Sequence, residues 1–204
     1  YGKTGDKMPI AAKGAAKDLI AKANAEDLDY SSATDAQKKE MWTFSHEATE
    51  QTTALTDYRY IGANPNNYVK FNDELWRIIG VFDTDDGTGK VEKRLKIIRN
   101  ESIGSYSWDN KDTTTGAETA WGKNEWTDAR LNYLLNPGHE SETTGGSLYW
   151  NRGAGNCYYG KNNATTACDF TTTGLTEKSK AMIGDAKWYL GGSSTDDDVT
   201  APMF

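Results

Sequence analysis

Between residues 68 and 99 the chain carries three short runs dense in β-branched and aromatic residues, at 68–71, 75–82 and 94–99, separated by turn-forming residues. Runs of this kind predict strands. The first turn is Asn72-Asp73-Glu74, and the second holds Asp85-Asp86-Gly87-Thr88-Gly89, whose glycines accept positive φ. An antiparallel meander is the expected product. In its middle strand, simple alternation places Trp76, Ile78 and Phe82 on one face and Leu75, Ile79 and Val81 on the other, so both faces are expected to be partly covered.

Helical spacing recurs in four places. Ile10, Ala11, Gly14, Ala15, Asp18, Leu19, Lys22 and Ala23 predict a helix running to Asn24. Thr34 or Asp35 is placed to cap a second, short helix through Met41 and Trp42. Both are weakly hydrophobic, which suggests a stalk or appendage rather than a core element. Thr127 is positioned to cap a third helix with an inward stripe of Leu131, Leu134 and Leu135, stopped by Asn136-Pro137-Gly138. Thr176 caps the last, in which Met182, Ile183, Ala186 and Leu190 recur until Gly191-Gly192. Long polar loops occupy residues 105–123 and the approach to Phe170, and no internal repeat is present.

Composition explains how such a chain can have a core. Of 204 residues only 29 are Leu, Ile, Val or Phe, a share usually associated with disorder. Against that stand 7 Trp, 11 Tyr and 5 Phe, large rings that each bury about 150–250 Å². An aromatic-rich, loop-rich fold follows. Residues 1–57 carry only Tyr1, Tyr30, Trp42 and Phe44, so the expected division is an N-terminal helical stalk over 1–57 and an aromatic-rich domain over 58–204. A net charge of −7 and a pI near 4.9 argue against nucleic acid as a partner. No run of 18 apolar residues is present, and no N-terminal stretch has the pattern of a signal peptide.

Few residues carry recognisable chemistry. Cys157 and Cys168 flank a loop-like stretch of Tyr, Gly, Asn, Ala, Lys and Thr. A disulfide closing it adds roughly 3 kcal/mol in the chain-entropy model and implies an oxidising compartment; two free thiols are the alternative. Zinc finds no ligand spacing among these cysteines, His46 and His139. Neither histidine lies in a nucleophile motif, so a structural role is expected of both. Glu101, Asp109, Glu125 and Asp128 lie near Trp108, Trp121 and Trp126, but a glycosidase needs two carboxylates at a set separation that sequence does not measure. Asp83, Asp85, Asp86 and Gly87 miss the calcium-loop template and read as a hairpin turn. Asn100-Glu-Ser102 and Asn163-Ala-Thr165 fit the glycosylation triplet, which is frequent in Asn- and Thr-rich chains and decides nothing.

The remaining suggestion lies in the aromatic loops, where Tyr106, Trp108, Trp121, Trp126, Tyr149, Trp150, Tyr158 and Tyr159 sit among Asn, Asp, Gly and Thr. Rigid rings beside adaptable polar groups suit recognition. For any single ring the first expectation is still a place in the core of an aliphatic-poor domain. The candidate ligand-binding residues are Trp108, Trp121, Trp126, Trp150 and Tyr158; no catalytic residue, metal or cofactor is assigned.

Six segments together carry a resemblance: 56–62 (TDYRYIG), 67–72 (NYVKFN), 75–82 (LWRIIGVF), 96–104 (KIIRNESIG), 107–110 (SWDN) and 182–188 (MIGDAKW). Over roughly residues 43–192 the chain resembles uncharacterised surface-anchored proteins of gut Gram-positive bacteria, distantly C-type-lectin-like, some with pilin-like N-terminal anchors. The resemblance implies an α+β, C-type-lectin-like domain with a small antiparallel sheet, two or three helices and long loops, preceded by an N-terminal helical segment. It implies that residues 8–24 are the outer end of a stalk helix, and that any membrane contact is through an N-terminal anchor absent from this chain. Members continue past the position of Phe204 into further strands and another cysteine pair, so the domain is expected to be C-terminally incomplete here. The expected function is a non-enzymatic extracellular adhesion module recognising a glycan or protein partner, cell-envelope anchored or secreted. The alternatives are a pilin-like structural subunit of a surface filament and, behind it, a carbohydrate hydrolase.

Overall fold

The computed structural model describes residues 10–11, 14–48, 54–108, 126, 129–136, 148–157 and 166–186. The chain is mixed α/β, with a largely antiparallel sheet and a few short helices, and it divides into two compact units. One comprises Tyr1–Glu101 with Ile183–Phe204, the other Ser102–Met182. Residue 57, where composition changes, lies within a strand of the first unit.

In the first unit six strands form one sheet: β1 (Ile10–Ala11), β2 (Trp42–His46), β3 (Leu55–Arg59), β4 (Tyr68–Phe71), β5 (Glu74–Asp85) and β6 (Val91–Arg99). The twelve-residue β5 is the spine. Along one edge it pairs with β6 almost throughout; along the other it pairs first with β4 and then, at Tyr58↔Val81 and Arg59↔Gly80, with β3. The predicted meander is therefore present as β4–β5–β6. Asn72 and Asp73 adopt φ of 56° and 59° between the paired Phe71 and Glu74, the left-handed two-residue turn that suits the twist of a hairpin. Gly87 and Gly89 take φ of 90° and 88° in the second turn. There Asp85 Oδ1 accepts from the Gly87 and Gly89 amides, and Asp86 Oδ1 from the Thr88 amide and hydroxyl.

The alternation expected of β5 breaks at one point. The register slips between Ile78 and Gly80, leaving Ile79 as an extra residue with no partner on β6. Such a bulge reverses the parity of every residue after it. Ile78 and Val81, expected on opposite faces, consequently lie in one buried cluster with Ala15, Leu19, Met41 and Val69. Gly80 has a packing requirement of its own: a Cβ there would stand 2.6 Å from the Tyr58 carbonyl oxygen and 2.9 Å from the Phe82 ring.

The N-terminal helix is shorter than its alanine-rich sequence predicts and has a different role. Residues 10–11 pair in parallel with β4, Gly14 takes a left-handed conformation, and α1 spans only Ala15–Ile20. Ala15 and Leu19, four apart and so on one face, are buried against the sheet. A small residue beside a branched one lets the helix seat closely on the strands, so α1 closes the core instead of standing off as a stalk. The second predicted helix is one turn of 3₁₀ helix at Gln37–Lys39, where Thr34 and Gln37 exchange side-chain hydrogen bonds. Trp42 belongs to β2, paired opposite Arg59. The centre of this core is aliphatic and thioether, and the rings of Tyr58, Tyr60 and Trp76 pack around it.

In the second unit, α2 (Arg130–Leu135) and α3 (Leu148–Asn151) precede a two-stranded hairpin of β7 (Ala154–Cys157) and β8 (Thr166–Asp169), followed by α4 (Glu177–Lys180). α2 begins after Ala129 without a side-chain cap, and the predicted Thr127 cap lies outside the described residues. Thr176 does cap α4, its hydroxyl accepting from the Ser179 amide at 3.1 Å. That helix ends after one turn, however. Met182 and Ile183, placed by periodicity on an inward stripe, are 40% and 47% exposed.

The bulge predicts an asymmetry among neighbouring substitutions. Ile78→Ala and Val81→Ala should each cost about 2–4 kcal/mol, whereas Ile79→Ala should stay within about 0.5 kcal/mol of the parent. Chemical denaturation of the three variants measures this; a tolerant Val81→Ala would show that Val81 does not share the face of Ile78.

Candidate functional site

Of the five candidate rings the structure brings two together. Trp108 and Trp126 lie with ring centroids 5.0 Å apart, inclined at 50°. Trp108 is 46% exposed and Trp126 half-buried, so the second ring packs against the first, which keeps nearly half of its surface exposed. Both are held through the main chain at the start of α2. The Trp108 carbonyl accepts from the Leu131 amide at 3.1 Å; the Trp126 carbonyl accepts from the Ala129 amide and from Asn132 Nδ2, each at 3.1 Å. Asn132 is 1% exposed, and its Oδ1 accepts from Asn136 Nδ2 at 2.7 Å. Those bonds occupy groups that the start of a helix leaves without intrahelical partners, so the pair is fixed to a rigid element despite its loop sequence.

Trp150 stands apart from that pair. It is half-buried on α3, and Lys180 Nζ lies 5.8 Å from its ring centroid. Lys180 in turn donates to Glu177 Oε1 at 2.6 Å and to Asn151 Oδ1 at 3.4 Å. An ammonium over the ring is a cation–π contact, here tying α4 to α3. Trp121 and Tyr158 lie outside the described residues. Tyr149, one of the loop aromatics, belongs to the core of its unit: it is buried and meets Phe170 edge-on at 5.6 Å. Tyr106 packs on Phe170 from another side at 6.2 Å and donates its phenol to the Ile103 carbonyl; burial pushes that phenol upward from its usual pKa.

Cys157 and Cys168 are joined, with Cα atoms 5.4 Å apart. They lie in strands rather than in a loop: Cys157 pairs with Thr166, and Cys168 with Gly155. These strands carry little strand signal in sequence, being four residues each, AGNC and TACD, with Thr166 their one β-branched residue and no aromatic. Beside the hairpin the backbone is crowded. Gly174 sits where a Cβ would come within 2.5 Å of the Tyr149 carbonyl oxygen and 2.8 Å of that of Phe170, and its own carbonyl accepts from Arg152 Nε at 2.6 Å.

Of the groups considered for catalysis, His46 and Glu101 lie among the described residues. His46 Nε2 lies 3.0 Å from Asp57 Oδ2, which Arg59 also approaches at 2.6 Å, a cross-strand cluster on β2 and β3. His139, Asp109, Glu125 and Asp128 lie outside the described residues, and Glu101 is exposed. Among the described residues no group of three metal-ligating side chains converges, and no helix is long and apolar enough to cross a membrane.

Comparison with protein-family models, curated proteins and solved structures returns no match. The site therefore has to be interpreted from its own geometry. Sequence reasoning named both rings of the tryptophan pair but missed Asn132, the buried amide that anchors one of them. An asparagine inside a leucine-striped helix is no different in sequence from one facing water.

Two measurements test these local supports. Reducing the Cys157–Cys168 bridge should destabilise the Ser102–Met182 unit by about 3 kcal/mol, because a hairpin of four residue pairs has little stability alone; melting with and without reductant, alongside the Cys157→Ala/Cys168→Ala variant, reads it. Next to the bridge the Asp169 carboxyl is held below its usual pKa by the Thr171 hydroxyl first and the Thr171 amide second. A depressed folded-state value means that this turn contributes fully above the unfolded value of about 3.9 and loses its contribution as pH falls through the lower folded one. An NMR titration should place the Asp169 midpoint below that of free aspartate, and Thr171→Val should raise it.

Proposed function

We propose that this chain is a non-enzymatic recognition module of the cell exterior, on the C-type-lectin-like plan that its sequence resembles, and that it binds a glycan on Trp108. The observation that carries this reading is the tryptophan pair. An indole that is nearly half exposed, braced by a second ring at 5.0 Å and pinned at a helix start, is held ready for stacking without first having to be ordered. Preorganisation of this kind lowers the entropic cost of binding. A sugar ring offers one flat apolar face edged by hydroxyls, and the neighbouring Ser105 is a hydrogen-bonding residue suited to such an edge.

The Cys157–Cys168 bridge supports an oxidising, extracellular setting. The filament reading depends on a long projecting helix, and the described N-terminal helix has six residues with one face in the core, so the binding module is the better supported of the two.

A glycan array probed with the parent, Trp108→Ala and Trp126→Ala tests the proposal. Loss of the open ring should weaken binding about tenfold, and loss of the buttress should weaken it less, with melting curves confirming that both variants fold. Undiminished binding by Trp108→Ala would sink it, and binding confined to a protein ligand would replace the glycan with a polypeptide.

A further inference from the structure

We propose that the face of the six-stranded sheet turned away from α1 docks an acidic polypeptide segment with apolar neighbours, supplied by a partner protein, and that Arg77 is its anion contact. α1 and the buried cluster take the face bearing Val69, Ile78 and Val81. The register then sets out the other face in rows. Tyr68 on β4 stands opposite Arg77 on β5, which stands opposite Ile98 on β6; one step along, Arg59, Gly80 and Lys96 form the next row. The bulge residue Ile79 lies between these rows.

Arg77 differs from the other arginines of the sheet. Arg59 is paired with Asp57, Arg94 with Glu92 and Arg99 with Glu74. Arg77 has no carboxylate among the described residues. Its guanidinium lies 4.5 Å from the centroid of the Tyr68 ring, and its Nη1 donates to the Tyr68 hydroxyl at 2.9 Å. That contact fixes the plane of the guanidinium without neutralising it, in a chain whose acids outnumber its bases 30 to 23. A planar, oriented fork with donors to spare matches a carboxylate.

The surroundings favour a polypeptide as the source of that carboxylate. Ile98, opposite Arg77 on β6, is 55% exposed, and Ile79, two residues along β5, is 39% exposed. Scattered exposed isoleucines are ordinary; two beside an uncompensated arginine on a stiff sheet make a contact that an apolar side chain next to an acid can fill and a hydroxyl-rich sugar cannot. The positive charge of Arg77 complements an acidic partner and rejects a basic one. Arginine and tyrosine are also the side chains most enriched where interfaces concentrate their binding energy.

The probe is the peptide acetyl-Leu-Asp-Leu-Glu-Leu-amide, titrated into the full chain beside its twin carrying Asn and Gln in place of the acids. The acidic peptide should shift the Ile79 and Ile98 methyl resonances and the Arg77 side-chain resonances. Its affinity should fall roughly tenfold or more on changing to the amide twin or on Arg77→Gln, and should weaken with added salt. Arg77→Lys, which keeps charge but not the fork, should recover only part of the loss. Ile98→Ser, at an exposed position, gives a second variant should Arg77→Gln fail to fold, and it too should weaken the peptide. Absence of binding, equal binding of the two peptides, or binding indifferent to both Arg77→Gln and Ile98→Ser overturns the proposal. So does an oligogalacturonate that binds these residues more tightly than the peptide does, since the occupant would then be an anionic glycan.

Discussion

One strand and its single irregularity decide how the first unit is built. β5 has partners on both edges, and its bulge at Ile79 keeps Ile78 and Val81 on the same side of the sheet. A chain so poor in aliphatic residues gains greatly from this. Without the extra residue, strict alternation would turn Val81 out of the cluster that Ile78 joins, and the two contribute a third of its six fully buried members. With it, six modest side chains make one continuous core, and rings with polar atoms are left to the periphery. Trp76, at that periphery, carries a buried indole N–H without a hydrogen-bond partner among the described residues. An unpartnered donor of that kind costs about 1–3 kcal/mol, a reason for Trp to pack around an aliphatic centre rather than replace it.

The second unit solves the same shortage differently. Among the described residues its hairpin is short, its helices run to no more than six residues, and no long strand organises it. Order comes from particular devices: a disulfide across the hairpin, a glycine allowing three backbone segments to converge, an edge-on pair of rings, and a buried asparagine bonded to a loop carbonyl. Each constrains a few residues, and none substitutes for another. Damage to one is therefore expected to be local, whereas damage at the centre of β5 reaches every strand that pairs with it.

The differing legibility of the elements follows from the physics of each. β4, β5 and β6 were readable because β-branched and aromatic residues cluster there and Asn72-Asp73 and the paired glycines punctuate them. The bulge was not readable, since Ile79 has the same local signal as its neighbours and only the count of residues on the opposing strand reveals the slip. α1 misled in the opposite direction. Its alanines carry helix propensity over many residues, but pairing of Ile10 with Val69 and the left-handed Gly14 confine the helix to Ala15–Ile20, and tertiary burial assigns the role that propensity cannot. The periodic run after Thr176 failed for a related reason: the cap is a local signal and was right, while the stripe of Met182 and Ile183 required a packing surface that those side chains do not find. At the candidate site the rings were visible as residue types, but their division into core and surface was not.

That division bears directly on function. Tyr149 and Trp150 are adjacent in sequence and share the composition of their surroundings, yet Tyr149 is buried edge-on against Phe170 while Trp150 has the Lys180 ammonium over its ring. Trp108 differs from both: it is nearly half exposed, its carbonyl is engaged by α2, and Trp126 packs against its ring. Arg77 is comparable with a different group: Tyr68 holds the guanidinium flat, and the carboxylate that every other arginine of the sheet possesses is missing among the described residues. In both places an intramolecular partner fixes the orientation of a side chain, and on the proposed readings its recognition capacity is left for a ligand. Such an arrangement separates a presented residue from one that is merely exposed.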